Sequence, residues 1–206
     1  MKIKAIIFDL DNTIYPVSSI AQKLFYSVFR AIENEGRHNR EKREIETEIM
    51  RRPFQAVAKE FGFSDVLTST CLHLLSKSTY NDPMHYFEDY PLTREIGCVK
   101  FLVTMGFAEL QWSKINSLDI KADFENIFIV DPSVSGRTKR DVFGEIMTRY
   151  GFASDELLVV GDDLNSEIKA GKELGIKTVL YDYLDQYKNL ANENVIHSFR
   201  QIEQFL

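Results

Sequence analysis

The sequence predicts an α/β fold, with a parallel sheet covered by helices on both faces and an all-helical segment inserted early in the chain. Three observations carry that expectation. Short apolar runs alternate with helical periodicity from residue 98 to residue 181, and strand–helix alternation of this kind builds parallel sheets. The apolar run Ala5-Ile6-Ile7-Phe8 breaks off at two acids one residue apart, Asp9 and Asp11. Between Pro16 and Tyr80 the apolar residues recur at helical spacing with no strand among them.

The elements follow in order. A first strand runs from Lys2 to Asp9. In the insert, Ile20, Leu24, Val28 and Ile32 share one helix face, with Ser18 or Ser19 as N-cap and Gly36 as a stop. A second helical stretch spans Asn39 to Phe61, divided by Pro53. A third spans Asp65 to Lys77, with Leu67, Cys71, Leu74 and Leu75 apolar. The charge run from Asn39 to Glu44 reads as a solvated helix face. Strands are then expected at Cys98 to Thr104, Ile127 to Asp131, Leu157 to Gly161 and Lys177 to Tyr181. Helices Phe107 to Leu118, Thr138 to Tyr150 and Leu164 to Leu174 separate them, and a short helix from Ser198 to Leu206 closes the chain.

Composition narrows the functions. A chain of 206 residues suits one domain, or one domain with a sizeable insert. The residues are 44% hydrophobic and 12% aromatic, enough for a substantial core. A net charge of −6 leaves no basic footprint, so a nucleic acid polymer is not an expected partner. Cys71 and Cys98 lie among apolar residues and read as buried thiols of a reducing compartment. His38, His73, His85 and His197 have no metal-ligand spacing. The N-terminal apolar run stops at Asp9, too soon for a signal peptide or membrane span, so the cytoplasm is the expected location and no membrane a partner.

The acids point to a chemistry. Residues i and i+2 of a strand share a face, so Asp9 and Asp11 can address one small volume. A divalent cation relieves their repulsion. One could attack a phosphorus atom while the other protonates the leaving group. The competing reading is a strand end with Asp11 capping a turn through Asn12 and Thr13. A second apolar run ends in Gly161-Asp162-Asp163 before a helix that carries Glu167. Asp162 then faces the same sheet edge as Asp9, and Asp9, the Asp11 carbonyl and Asp162 make a suitable magnesium shell with waters and a phosphate oxygen. Asp163 alone reads as a helix N-cap. Thr104 ends a strand just before Gly106 and could bind phosphate oxygens with nearby N–H groups. In Gly136-Arg137-Thr138-Lys139-Arg140 a lysine could neutralise phosphate and acids, with the register among Arg137, Lys139 and Arg140 open.

Together these four elements resemble the haloacid dehalogenase superfamily, mostly phosphohydrolases, over essentially the whole chain. Asp9-x-Asp11-x-Thr13 matches its first motif, Thr104 the second, Lys139 the third, and Gly161-Asp162 with Asp163 or Glu167 the fourth. The opening Asp-Leu-Asp-Asn-Thr-Ile-Tyr-Pro looks most like the pyrimidine 5′-nucleotidase-like phosphatase branch, and the insert like that branch's cap. The resemblance implies a Rossmann-like core of residues 1–15 and 81–206, with a helical cap of residues 16–80. It implies a phosphoric monoester hydrolase that uses Mg2+. Asp9 would be the nucleophile, forming an aspartyl-phosphate. Asp11 would act as general acid, then general base. Asp9, the Asp11 carbonyl and Asp162 would hold the metal. Thr104 and Lys139 would bind the phosphoryl group, and Asp163 or Glu167 would be a further metal or supporting acid. Dehalogenase-type members lack an acid at the Asp11 position, which argues against dehalogenation.

Four positions depart from the family pattern. Arg140 replaces a Pro, Met105 an Asn and Glu167 an Asp, and the segment from Pro91 to Thr104 is short for the usual helix plus strand. None removes a reactive group. The expected substrate is a small phosphorylated metabolite, with nucleoside monophosphates among the candidates. A phosphosugar phosphatase or mutase is the second reading, and a non-catalytic regulatory protein on the same scaffold the third. A monomer or a homodimer fits the sequence equally.

Overall fold

A computed structural model describes residues 2–187, 190 and 194–206. Its centre is one parallel sheet of six strands: β1 (Ala5–Phe8), β2 (Val99–Met105), β3 (Asn126–Val130), β4 (Leu157–Gly161), β5 (Lys177–Tyr181) and β6 (Val195–Ile196). The spatial order is β3-β2-β1-β4-β5-β6, and every pairing is parallel. Chain order therefore reverses at β1, which has β2 on one side and β4 on the other. Open α/β sheets bind ligands at such a reversal, outside the carboxyl ends of the strands.

Parallel strands covered on both faces read as continuous apolar runs, and the period of two sorts their side chains. Ala5, Ile7, Phe101, Val103, Leu157 and Val159 face one side. There they meet Val142, Phe143 and Ile146 of α7 (Lys139–Tyr150) and Ala170 of α8 (Glu167–Glu173). Ile6, Phe8, Leu102, Leu158 and Val160 face the other side. There they meet Leu110, Ile115 and Leu118 of α6 (Ala108–Leu118), and Phe199 and Ile202 of the C-terminal 3-10 turn (Phe199–Phe205). Each buried aliphatic or aromatic side chain contributes about 1.5–3 kcal/mol.

This second core continues without a break into the insert. Leu10, Ile14 and Val17 lead from β1 to Val28 and Ile32 of α2 (Tyr26–Glu35), Ile45 of α3 (Lys42–Ile49), Val57 of α4 (Phe54–Glu60) and Cys71 of α5 (Asp65–Ser76). Pro53 is the N-cap of α4, so it divides the second helical stretch as expected. Ser64 caps α5, its hydroxyl accepting from the Leu67 N–H at 3.1 Å.

Several elements differ from the sequence reading. The first strand begins at Ala5, three residues later than expected. The first insert helix is broken at Phe25 into α1 (Ala21–Leu24) and α2, and neither Ser18 nor Ser19 caps it. The last sheet helix starts at Glu167 instead of Leu164, because Asp163 to Asn165 form a turn in which Asp163 Oδ1 accepts the Asn165 N–H at 2.8 Å. β6 was not expected. The short segment before β2 holds a 3-10 turn, Tyr90–Glu95, in place of a helix. Cys71 is a buried free thiol, while Cys98 is only half-buried.

Candidate active site

Three sequence motifs meet where the sheet reverses. Asp9 follows the last residue of β1, and its N–H still donates to Val160 O at 3.0 Å. Thr104 is the penultimate residue of β2, and Asp162 follows the last residue of β4. The carboxylate oxygens of Asp9, Asp162 and Glu167 lie within 4.8 Å of one another. Lys139, the first residue of α7, reaches the same point. Its Nζ donates to Asp9 Oδ1 at 2.5 Å and to Glu167 Oε2 at 2.7 Å. Its register is fixed by the cap, where Thr138 Oγ1 accepts the Asp141 N–H and Asp141 Oδ2 accepts the Thr138 N–H. Arg137 and Arg140 turn outward to Glu145 and Glu173, so of the three basic residues only Lys139 enters the site.

Of the two acids left open in the fourth motif, Glu167 stands in this cluster and Asp163 outside it. Glu167 is almost fully buried, and its Oε1 accepts the Asp163 N–H at 2.7 Å. It folds back across Gly161: a Cβ there would lie 2.2 Å from Glu167 Cγ. Both Glu167 oxygens are thus occupied by protein donors. Among the described residues no donor reaches the Asp162 carboxylate.

Electrostatics divide the acids. Burial pushes Asp9 up to about 7, opposed by Lys139 and helped by Glu167 and Asp11. Burial, Glu167 and Asp9 hold Asp162 well above the usual carboxylate range. Burial disfavours the Lys139 ammonium, yet Asp9 and Glu167 together raise its pKa above the ordinary lysine value. Asp11 goes the other way. Burial would raise it, but Lys114, Tyr15 and Gln111 hold it below its ordinary value.

The Asp11 environment was not anticipated from the sequence. The chain turns sharply after β1, with Asn12 at φ 56°, and Asp11 faces α6. Lys114 Nζ donates to its two oxygens at 2.8 and 3.1 Å, Gln111 Nε2 donates at 2.9 Å, and the Tyr15 hydroxyl also donates. Lys114 and Gln111 are both buried. Their signal was present: Leu110, Gln111, Lys114, Ile115 and Leu118 share the inward face of α6, so two polar residues sit in an apolar stripe.

Asp9, Thr104, Lys139 and Asp162 line a cavity of about 160 Å³, and the insert supplies its far wall through Phe25, Arg51, Phe54 and Leu75. Asn12 ties the two parts, its Nδ2 donating to Met50 O at 2.9 Å. No helix among the described residues is long and apolar enough to cross a membrane.

Comparison with known proteins agrees with this architecture. The hydrolase YfnB of Bacillus subtilis, a structure with bound magnesium, superposes with a TM-score of 0.69 at 18% identity, covering 100% of this chain and 99% of its own. The haloacid dehalogenase-like family protein SP0104 of Streptococcus pneumoniae superposes at 0.75 with 16% identity, covering 98% of each chain. A glyceraldehyde 3-phosphate phosphatase of Methanopyrus kandleri is 28% identical over 197 residues, 86% of this chain and 83% of its own. The family model for haloacid dehalogenase-like hydrolases matches residues 3–175, most of the sheet and the whole insert, and the chain belongs to that family.

Proposed function

We propose that this phosphoric monoester hydrolase is a magnesium-dependent phosphatase of a short-chain phosphosugar, working through an aspartyl-phosphate on Asp9. The observation that carries the reading is the Lys139 ammonium held between Asp9 and Glu167, with Asp162 facing them across the sheet reversal. The donor set suits magnesium, which prefers carboxylate and carbonyl oxygens. Asp9 and Asp162 would hold it through carboxylates and Asp11 through its carbonyl. Three carboxylates facing one ammonium, one of them without a donor among the described residues, are the environment a dication completes. Bound magnesium would supply positive charge to the phosphoryl oxygens and favour ionised Asp9.

The chain's own residues then divide the work. The Asp9 carboxylate attacks phosphorus, an O–P bond forms to Asp9, and the ester O–P bond breaks. Asp11 gives its proton to the departing alkoxide. A water then attacks the aspartyl-phosphate, Asp11 takes its proton, and phosphate leaves with Asp9 restored. Lys139 and Thr104 bind the phosphoryl oxygens throughout. The Lys114 contact favours ionised Asp11, the form that activates water. Delivering a proton requires Asp11 to give that contact up.

Two features favour a phosphosugar over a nucleotide. The relative from Methanopyrus kandleri is named for a three-carbon phosphosugar. The cavity of about 160 Å³ is below the ~300–1,000 Å³ of sites for larger ligands. The helices of residues 16–80 act as a cap that closes this small volume against water. The test is a hydrolysis panel of glyceraldehyde 3-phosphate, other triose and pentose phosphates, and nucleoside monophosphates, with magnesium or with excess chelator. Preference for nucleotides would reject the substrate class, and full turnover in chelator would reject the metal.

A further inference from the structure

The side-chain amide of Gln111 uses both of its donors and accepts one hydrogen bond. Its Oε1 accepts from Lys114 Nζ at 2.8 Å. Its Nε2 donates to Asp11 Oδ2 at 2.9 Å and to Thr104 Oγ1 at 2.6 Å. The partners fix which way round the amide sits. An ammonium only donates and a carboxylate only accepts, so the oxygen faces Lys114 and the nitrogen faces Asp11. Thr104 therefore receives a hydrogen bond in this contact and does not give one. A hydroxyl has one proton to donate, and among the described residues no acceptor takes that of Thr104. The hydroxyl is buried and lines the cavity beside Asp9 and Lys139. The backbone makes room for this arrangement at Gly106, where φ is 152° and a Cβ would lie 3.1 Å from Gln111 Cδ.

We propose that Gln111 is a positioning residue that occupies the acceptor side of Thr104 and so aims the Thr104 hydroxyl proton into the cavity, at an oxygen of the phosphoryl group. Lys114 keeps the amide in the required orientation. Gln111 lines the cavity, but its amide is held by Lys114, Asp11 and Thr104, and no bond forms or breaks at it. Its effect is that one donor is already aligned before the phosphoryl group arrives, so no reorganisation is needed at binding or in the transition state. The inference rests on the phosphatase reading and deepens it.

The experiment is a double-mutant cycle on the full chain. Gln111→Met keeps the bulk and removes the donor, and Thr104→Val removes the hydroxyl. The readout is the dissociation constant of inorganic phosphate by titration calorimetry with magnesium present, alongside kcat, KM and melting temperature. Gln111→Met is expected to weaken phosphate about tenfold, the scale of a hydrogen bond to a charged group, with a fall in melting temperature, from the buried partners left short of a bond, that is similar in both backgrounds. In the Thr104→Val background the same substitution is expected to change the constant by less than about twofold. Equal weakening in both backgrounds overturns the proposal, as does unchanged affinity in Gln111→Met. Gln111→Leu carries the same comparison should the Met variant fail to fold. A wild-type protein that neither binds phosphate nor hydrolyses an aryl phosphate overturns the phosphatase reading and this inference together. Normal wild-type turnover with additive variants overturns this inference alone.

Discussion

Adding one methyl group at Gly161 should damage both stability and catalysis, through Glu167 alone. A Cβ at this position would lie 2.2, 2.3 and 2.5 Å from Glu167 Cγ, Oε1 and Cδ. Carbon atoms sit comfortably at about 3.5–4.0 Å, so the Glu167 side chain must move by roughly an ångström. It has little freedom to do so. It is almost fully buried, Oε2 holds Lys139 at 2.7 Å, and Oε1 holds the Asp163 N–H at 2.7 Å. A shift of that size breaks at least one of these bonds. Overpacking costs about 1–3 kcal/mol. Breaking a buried ion pair outright costs about 3–5 kcal/mol, and a displaced carboxylate forfeits only part of that. The expected total for Gly161→Ala is about 2–4 kcal/mol, a fall in melting temperature of roughly 5–15 °C at this size. Turnover should fall too, because Lys139 loses one of its two anchors. In a Glu167→Ala background the three clashing atoms are gone. There the Gly161→Ala change should be neutral or stabilise by about 0.4–1 kcal/mol, since a backbone outside the left-handed region accepts alanine. Melting curves and aryl phosphate kinetics on the four proteins measure the coupling. A Gly161→Ala protein with wild-type melting and turnover, or one equally destabilised without Glu167, would refute the reasoning.

Asp9→Asn should leave the fold intact and raise the melting temperature of metal-free protein, because it removes one of three clustered acids, while turnover falls by several orders of magnitude; wild-type turnover in the purified variant would exclude the covalent route. Asp11→Asn should cost about 10²–10⁴-fold in kcat, read in the same assay. Because burial pushes Asp9 up to about 7 and Asp162 also upward, these two acids hold more protons in the folded protein than in the unfolded chain, so their share of metal-free stability should fall as pH rises from about 4 to about 7, read as the difference between wild type and Asp9→Asn. Magnesium selects ionised Asp9 and should stabilise more as pH rises through the same window; melting curves with chelator and with magnesium test both signs. Asp162→Ala should abolish most of the magnesium-dependent stabilisation, which in the wild type amounts to about 2.7 kcal/mol at a hundred times the dissociation constant and is read as a rise in melting temperature.

The sheet was legible because its strands are buried on both faces. Runs such as Leu157-Leu158-Val159-Val160 need no partner residues to be recognised, and their sudden ends at acids mark the ligand edge. The insert was legible because its apolar residues keep a 3.6 period through Val28, Phe29 and Ile32. What failed had weak local signals. β6 has two residues, too few for a pattern. The break at Phe25 has no Gly or Pro to announce it. The family resemblance singled out Lys139, but the residues alone left its register against Arg137 and Arg140 open, because the cap at Thr138 that turns Lys139 inward shows only in the fold. Gln111 and Lys114 stand out only as polar breaks in the apolar stripe of α6, and that stripe does not name their partner, which lies a hundred residues away in sequence.

The strand argument for Asp9 and Asp11 also needs amending, and the amendment bears on mechanism. Residues two apart in a strand would share a face and repel. β1 ends at Phe8, however, and the turn through Asn12 sends the two carboxylates to different lysines. Asp9 meets Lys139 on α7, and Asp11 meets Lys114 on α6. Burial dominates at Asp9 and raises its pKa, whereas Lys114 and two hydrogen-bond donors outweigh burial at Asp11 and lower it. Neighbouring acids pushed in opposite directions are a mark of divided acid–base roles. Here the division has a physical logic. On the proposed mechanism, a nucleophile raised to about 7 would be restrained until a cation favoured its ionised form, which would tie attack to a loaded site. An acid held ionised by a lysine is ready to activate water, and its proton-donating role is the one that demands rearrangement. On the proposed mechanism, substrates whose leaving groups need little proton help should therefore turn over fastest. Across a series of aryl phosphates kcat should rise steeply as the leaving phenol becomes more acidic, until loss of the phosphate from Asp9 limits the rate. A flat series without burst kinetics would mean that Asp11 delivers its proton as readily as it takes one.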